Sequence, residues 1–175
     1  MPQSNENITL EKVPDLELIV FDLDYTLWPF WVDTHVTPPF RKTSIGEIVD
    51  AYGQRIKHYL EVPLVLQQLT AVGYKLGVAS RTSAVEEAKQ LLTLFDWRKY
   101  FLVSEIYPGS KITHFNEMHR KTKIPFSKML FFDDEHRNIK DLTAKGVVSI
   151  LVENCVDLQV VKSGINQFAK KRTQE

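Results

Sequence analysis

Apolar positions along the chain fall into short unbroken runs separated by longer stretches of helical period. Leu18-Ile19-Val20-Phe21 and Met129-Leu130-Phe131-Phe132 are continuous apolar runs, and runs of this kind predict strands buried on both faces of a parallel sheet. Lys75 to Ala79, Tyr100 to Ile106 and Val147 to Val152 predict three further strands. Glu61 to Val72 carries Val62, Val65, Leu66 and Leu69 on one stripe, with Pro63 in its first turn and Gly73 past its end, so it predicts a helix. Ser83, with Glu86 three residues on, predicts a capped helix start ahead of Val85, Ala88, Leu91 and Leu92. A helix is predicted over Ile112 to Lys121 with Phe115 and Met118 inward, another through Ile139, Leu142 and Ala144 to Gly146, and a last over Asp157 to Lys171. Strands alternating with helices long enough to serve as crossovers predict an α/β open sheet.

Trp28 to Tyr59 departs from this rhythm. It has no sustained helical period and carries Pro29, Pro38, Pro39, Gly46 and Gly53 among aromatic and β-branched residues, so it predicts a hairpin or flap inserted after the first strand. The segment is too short for a cap domain. No internal repeat or linker divides the 175 residues, which predicts one domain over 1–175, with ends before Glu17 and beyond Lys171 that fray.

Charge narrows the choice of partners. Lys and Arg number 22 against 22 Asp and Glu, so no global field draws the chain to nucleic acid or an anionic membrane, and a charged ligand must be held locally. A single cysteine, Cys155, excludes an intramolecular disulfide and a cysteine metal cluster and favours a reducing compartment. The polar start from Met1 to Asn7 lacks an apolar signal core, and no stretch approaches the roughly 18 apolar residues of a membrane span. The expectation is a cytoplasmic, monomeric protein.

The chemistry sits where the predicted strands end. Asp22 and Asp24 follow the first, Ser80 and Arg81 follow Lys75 to Ala79, Lys111 follows the strand ending at Ile106, and Asp133-Asp134 ends Met129 to Phe132. In open parallel sheets ligands bind beyond the carboxyl ends of the strands. The even spacing of Asp22 and Asp24 aims both to one face of a continuing strand, where they repel, so a positive group is expected between them. Carboxylate oxygens of this kind suit a hard dication such as Mg2+, which pairs with phosphate. With the metal and Lys111 offsetting like-charge repulsion, Asp22 can attack phosphorus. Asp24 then fits as the acid that protonates the leaving oxygen and the base that later activates water, provided its pKa rises above that of Asp22.

Phe21-Asp22-Leu23-Asp24-Tyr25-Thr26, followed in order by Ser80, Lys111 and Asp133-Asp134, resembles the four motifs of the haloacid dehalogenase superfamily. Asp22 to Pro29, Ala79 to Ser83, Tyr107 to Lys111 and Phe131 to Glu135 are similar to its magnesium-dependent phosphatase-1 family, a capless branch. The resemblance implies a three-layer Rossmann-like sheet, Mg2+, and hydrolysis of phosphomonoesters, with aryl phosphate, protein phosphotyrosine and phosphorylated sugar adducts as substrates. It implies Asp22 as nucleophile and metal ligand, and Asp24 as acid/base lending its carbonyl to the metal. Ser80 and the amides of Arg81 and Leu23 then hold the phosphoryl oxygens, and Lys111 neutralises the intermediate. Asp134 is implied as metal ligand, Asp133 as its support, and Trp31 as an aromatic at the site mouth. His136 stands where a polar amide is expected.

Plainer roles compete for several residues. Trp28 and Phe30 read as core packing, and the five histidines show no ligand spacing except His114 and His119, which stand five apart and off one helical face, so each reads as surface or local bonding. Val161 stands where a cysteine phosphatase loop begun at Cys155 requires Arg, so any phosphotyrosine cleavage falls to carboxylates. Two other functions use similar parts: a phospho-accepting receiver module, and a catalytically silent scaffold. The receiver pattern places its lysine last, whereas here an acidic pair follows Lys111, and Asp24 supplies a hydrolytic acid/base that a signalling module lacks.

Overall fold

A computed structural model describes residues 7–174; the polar stretch before Asn7 lies outside the described residues. Five parallel strands form the sheet: β1 (Leu18–Phe21), β4 (Lys75–Ser80), β5 (Phe101–Ile106), β6 (Met129–Asp133) and β7 (Val148–Leu151), in the spatial order β5-β4-β1-β6-β7. β2 (Arg41–Lys42) and β3 (Ile48–Val49) pair antiparallel in the segment after β1. That segment is the flap, and buried Asp50 fixes it by accepting from the amides of Thr37, Tyr52 and Gln54.

The period of two along β1 explains the layers. Ile19 and Phe21 face one cluster with α1 (Val62–Ala71), α2 (Val85–Leu94) and α5 (Leu158–Arg172). Leu18 and Val20 face the other with α3 (Lys111–Thr122) and α4 (His136–Ala144). Helices on both faces make the α/β open sheet that the patterning predicts, in the three layers that the resemblance implies. β1 is central: Phe21 stands beside Val78 of β4 and Phe132 of β6. The chain runs from β1 outward to β4 and β5, then returns to β6 on the other side, so the crevice of the open sheet lies at the carboxyl ends of β1 and β6.

Three local expectations differ from the structure. Residue 84 rather than Ser83 sits at the N-cap of α2, and the Thr82 hydroxyl accepts from the Ala84 amide while Ser83 points to solvent. The ordered core starts before Glu17, because Leu10 and Leu16 are buried, the Val13 amide donates to Tyr74 Oη, and Arg172 pairs with Asp15 at 2.7 Å. A hydrogen bond across 61 residues is invisible to a local reading of the terminus. The buried face of α4 is Asn138 and Leu142, with Ala144 exposed.

Gly164 shows how tightly α5 seats on the sheet. A Cβ there would lie 2.6 Å from Cζ of Phe132, whose ring stacks on Phe21 with centroids 5.4 Å apart, directly behind the first acidic strand end. Alanine in a helix interior ordinarily gains about 1 kcal/mol over glycine. Here overpacking opposes it at about 1–3 kcal/mol. Gly164→Ala is therefore expected to lower the midpoint of thermal unfolding by several degrees, read by circular dichroism; an unchanged or raised midpoint would mean that Phe132 has room to yield.

Candidate active site

The backbone past β1 builds the site in a few residues. The Asp22 amide still donates to the Phe132 carbonyl at 3.0 Å, so Asp22 stays on the ladder between β4 and β6. The chain then turns: the Leu23 carbonyl accepts from the amides of Thr26 and Leu27 at 3.0 and 2.9 Å, and Tyr25 takes a left-handed φ of 58°. A tight turn, and not a continuing strand, brings Asp24 into the same cleft as Asp22. A β-carbon costs about 1–2 kcal/mol in that conformation, and the Tyr25 ring meets the edge of Trp31 with centroids 5.5 Å apart.

Lys111 is the first residue of α3, reached through Gly109 at φ 122° and the N-cap Ser110, whose hydroxyl accepts from the Ile112 amide. Its side chain is 1% exposed, and Nζ donates to Asp22 Oδ1 at 2.8 Å and to Asp133 Oδ2 at 2.7 Å. The positive charge thus lies between Asp22 and Asp133, correcting the expectation that it would separate Asp22 from Asp24. Burial alone would lower the lysine pKa, but the two carboxylates more than offset it and hold it above its ordinary value. Asp133 is fully buried beneath the cleft and also accepts from the Glu135 amide and from Asn138 Nδ2.

Asp134 reaches the cleft from the residue after β6. Thr26 Oγ1 donates to Asp22 Oδ2 at 2.9 Å and lies 3.5 Å from Asp134 Oδ1, so the hydroxyl bridges the two acidic strand ends. Carboxylate oxygens of Asp22, Asp133 and Asp134 lie within 4.8 Å of one another. One lysine cannot balance three carboxylates, and the donors are all hard oxygens, so the cluster fits a divalent cation of the magnesium or calcium kind. Burial, then the Asp22 charge, pushes Asp134 well above the ordinary carboxylate range.

Asp24 has neutral partners instead. Its Oδ1 accepts from the Trp28 indole at 2.7 Å and from the Val32 amide at 3.2 Å. Burial raises its pKa to about 7; the Asp22 charge adds to the rise, and the Trp28 and Val32 hydrogen bonds only partly oppose it. Trp28 is core, as its pattern predicts, stacked between Phe30 and Trp97, yet its Nε1 also orients Asp24.

Asp22, Asp24, Trp31, Ser80, Arg81, Lys111 and Asp134 line one cleft of about 300 Å³. Leu23 lies beneath it, its side chain buried. Ser80 is 2% exposed and its hydroxyl accepts from the Thr82 amide. Trp31 is half exposed at the mouth, with its other face stacked on His35. His136 is exposed on the far side of Asp134, lining a separate pocket with Tyr25. The flap residues Asp33 and Thr34, together with Thr82, Glu135 and Asn138, complete the lining. Sequence reasoning missed Thr26, Trp28 and Asn138 as site residues. Asn138 could have been found as the one amide on the apolar stripe of α4; Thr26 stood inside the first motif without an assigned partner.

Acidic ends on adjacent strands that share one buried lysine are the arrangement of haloacid dehalogenase-type hydrolases. The fold agrees with that class: a haloacid dehalogenase-like family hydrolase from Xanthomonas campestris superposes with a TM-score of 0.66 at 9% identity, covering 95% of this chain and 97% of that one. A family model described as Acid Phosphatase matches residues 13–171. Magnesium-dependent phosphatase 1 of Homo sapiens is 56% identical over 157 residues, 90% of this chain and 89% of the human protein. A HAD-like hydrolase superfamily protein of Schizosaccharomyces pombe is 44% identical over 131 residues, 69% of this chain and 76% of its own length. The chain therefore belongs to the acid phosphatase family, in its magnesium-dependent phosphatase-1 branch, and is a phosphatase. Among the described residues no helix is long and apolar enough to cross a membrane.

The crowded carboxylates carry a pH signature. Asp24 and Asp134 bind protons more tightly in the fold than at the ordinary value of 3.8. Between that value and about 7 for Asp24, or about 8 for Asp134, the native state thus holds protons that the unfolded chain releases, and metal-free stability falls as pH rises through the window. A dication that relieves the repulsion should stabilise more at the upper end. Thermal melts with and without Mg2+ are expected to show a larger gain at about pH 8 than at about pH 5; an equal gain at both would show that the cation does not act on these carboxylates.

Proposed function

We propose that the chain is a Mg2+-dependent phosphomonoesterase working through a phosphorylated Asp22. The observation that carries this reading is the contrast between two carboxylates on one turn. Asp22 faces a buried ammonium and a hydroxyl, whereas Asp24 faces an indole and an amide and holds its proton up to about pH 7. Such a split matches a nucleophile that must be ionised and an acid that must be protonated.

In the first step an Asp22 oxygen attacks phosphorus, the bond from phosphorus to the ester oxygen breaks, and the Asp24 proton goes to the departing alkoxide or phenoxide. In the second, Asp24 takes a proton from water as that water's oxygen attacks the phosphoryl group, releasing phosphate and restoring Asp22. Ser80, with the amides of Leu23 and Arg81, holds the phosphoryl oxygens, and Lys111 offsets their charge. Asp22 and Asp134, with the Asp24 carbonyl, would hold Mg2+, with Asp133 supporting Lys111. When bound, the metal supplies Lewis acidity toward a phosphoryl oxygen and cancels repulsion around the nucleophile. The name of the human relative, magnesium-dependent phosphatase 1, supports this metal.

A receiver module or a silent scaffold has no use for a protonated carboxylate aimed beside the accepting one, so the environment of Asp24 favours hydrolysis over both. The substrate is a phosphorylated small molecule or a phosphotyrosine-bearing protein. Trp31 at an uncapped mouth suits aryl phosphate by stacking and accepts phosphorylated sugar adducts by the same open route. One domain suffices for this chemistry, acting as a cytoplasmic monomer without nucleic acid or membrane as partner.

The test is turnover of p-nitrophenyl phosphate with and without Mg2+. Asp22→Asn is expected to abolish turnover, and Asp24→Asn to lower kcat by about 10²–10⁴-fold with the fold intact; near-native rates in Asp22→Asn would require another nucleophile. Trp28→Phe, which keeps the stacked ring and removes the N–H, is expected to slow hydrolysis of alkyl phosphates more than that of p-nitrophenyl phosphate, because poor leaving groups depend more on a positioned acid. Equal slowing of both would assign Trp28 to packing alone.

A further inference from the structure

His114 is the one histidine whose surroundings contradict the surface or local role that its pattern predicts. Its side chain is fully buried one turn into α3, three residues past Lys111. Nδ1 lies 3.0 Å from the carbonyl of Ser110, the N-cap of α3. Nε2 lies 2.9 Å from the carbonyl of Ser80, the last residue of β4, and 2.7 Å from the carbonyl of Tyr107, just past β5. All three neighbours are carbonyl oxygens, which only accept. A hydrogen on Nε2 is therefore donated to the Ser80 and Tyr107 carbonyls together, which belong to two other segments of the chain. The Tyr107 ring lies over the imidazole with centroids 4.3 Å apart and planes 18° apart. Tyr107 Oη is tied in turn to Glu105, which pairs with Lys121 on the same helix.

We propose that His114 is a positioning residue for phosphoryl binding. Its ring clamps the carboxyl end of β4 to the N-terminal turn of α3, so that the Ser80 hydroxyl and the Lys111 ammonium are held at one separation. Among the described residues, the Tyr107 amide donates to the same Ser80 carbonyl at 3.1 Å, but it belongs to the connection after β5 and leaves α3 untied. His114 joins all three segments. A phosphoryl group held by Ser80 and offset by Lys111 needs both groups placed before it arrives, because donors that reorganise on binding lose much of their advantage. The inference rests on the reading of this cleft as the phosphoryl site.

Two amide variants separate positioning from mere filling. In His114→Gln the side-chain NH2 stands near the place of Nε2 and can donate to both the Ser80 and Tyr107 carbonyls. His114→Asn reaches only the Ser110 carbonyl within its own helix. Measured with p-nitrophenyl phosphate and Mg2+, His114→Asn is expected to raise KM, and the inhibition constant for inorganic phosphate, by about tenfold, with a smaller change in kcat. His114→Gln should return both constants to within about threefold of the parent. Equal effects of the two variants, or an unchanged phosphate constant in a folded His114→Asn, would overturn the proposal while leaving the parent's turnover, and so the phosphatase reading, intact. A parent that fails to turn over would sink that reading and this one with it. Should neither variant fold, ring 15N spectra of the parent decide. A protected Nε2–H signal that shifts on vanadate binding supports the clamp, and the absence of that signal or of any shift overturns it.

Discussion

A buried ammonium shared by two carboxylates organises this molecule. Lys111 is sealed from solvent between Asp22 and Asp133, at 2.8 and 2.7 Å, at the ends of two adjacent strands. Taking such charges out of water costs several kcal/mol per ion, and removing one partner of a buried pair costs about 3–5 kcal/mol. The arrangement is tolerable only because every remaining valence is met. Asp133 receives Asn138 and a backbone amide, Asp22 receives Thr26, and among the described residues no buried side-chain polar atom lacks a partner. The order of the sheet follows the same need, since β1 and β6 must lie side by side for one lysine to answer both.

That shared lysine also explains why neighbouring acids differ. Asp22 lies within reach of the ammonium; Asp24, two residues on, meets only an indole and an amide. Environment, and not residue type, divides their chemistry. The division depends on the flap, because both Trp28 and Val32, which hold Asp24, belong to the segment between β1 and α1.

The sheet and the principal acidic residues were legible in the chain because they depend on local pattern. Four unbroken apolar residues followed by carboxylates occur at both β1 and β6, and the motif order then resembled a known family. What escaped depends on contacts distant in sequence. Thr26 meets Asp134 across 108 residues, and His114 meets Ser80 across 34. No periodicity reports such pairings. Trp28 was read for its bulk and missed for its single polar atom, while Asn138 was hidden in a short helix whose apolar stripe it completes. Even spacing would place Asp22 and Asp24 on one face of a continuing strand, and the turn that carries Asp24 rests on backbone hydrogen bonds that such spacing does not report.

The distance in sequence between the members of the lysine cluster bears on biosynthesis. Asp22 leaves the ribosome 89 residues before Lys111, and its other neighbour across the ladder, β6, emerges later still. Until β6 emerges β1 is therefore a central strand that β4 can cover on one edge only, and its open edge makes it prone to association with other chains. No N-terminal fragment ending before β6 can assemble the cluster, so a nascent or prematurely terminated product carries the leading acidic motif without a working centre.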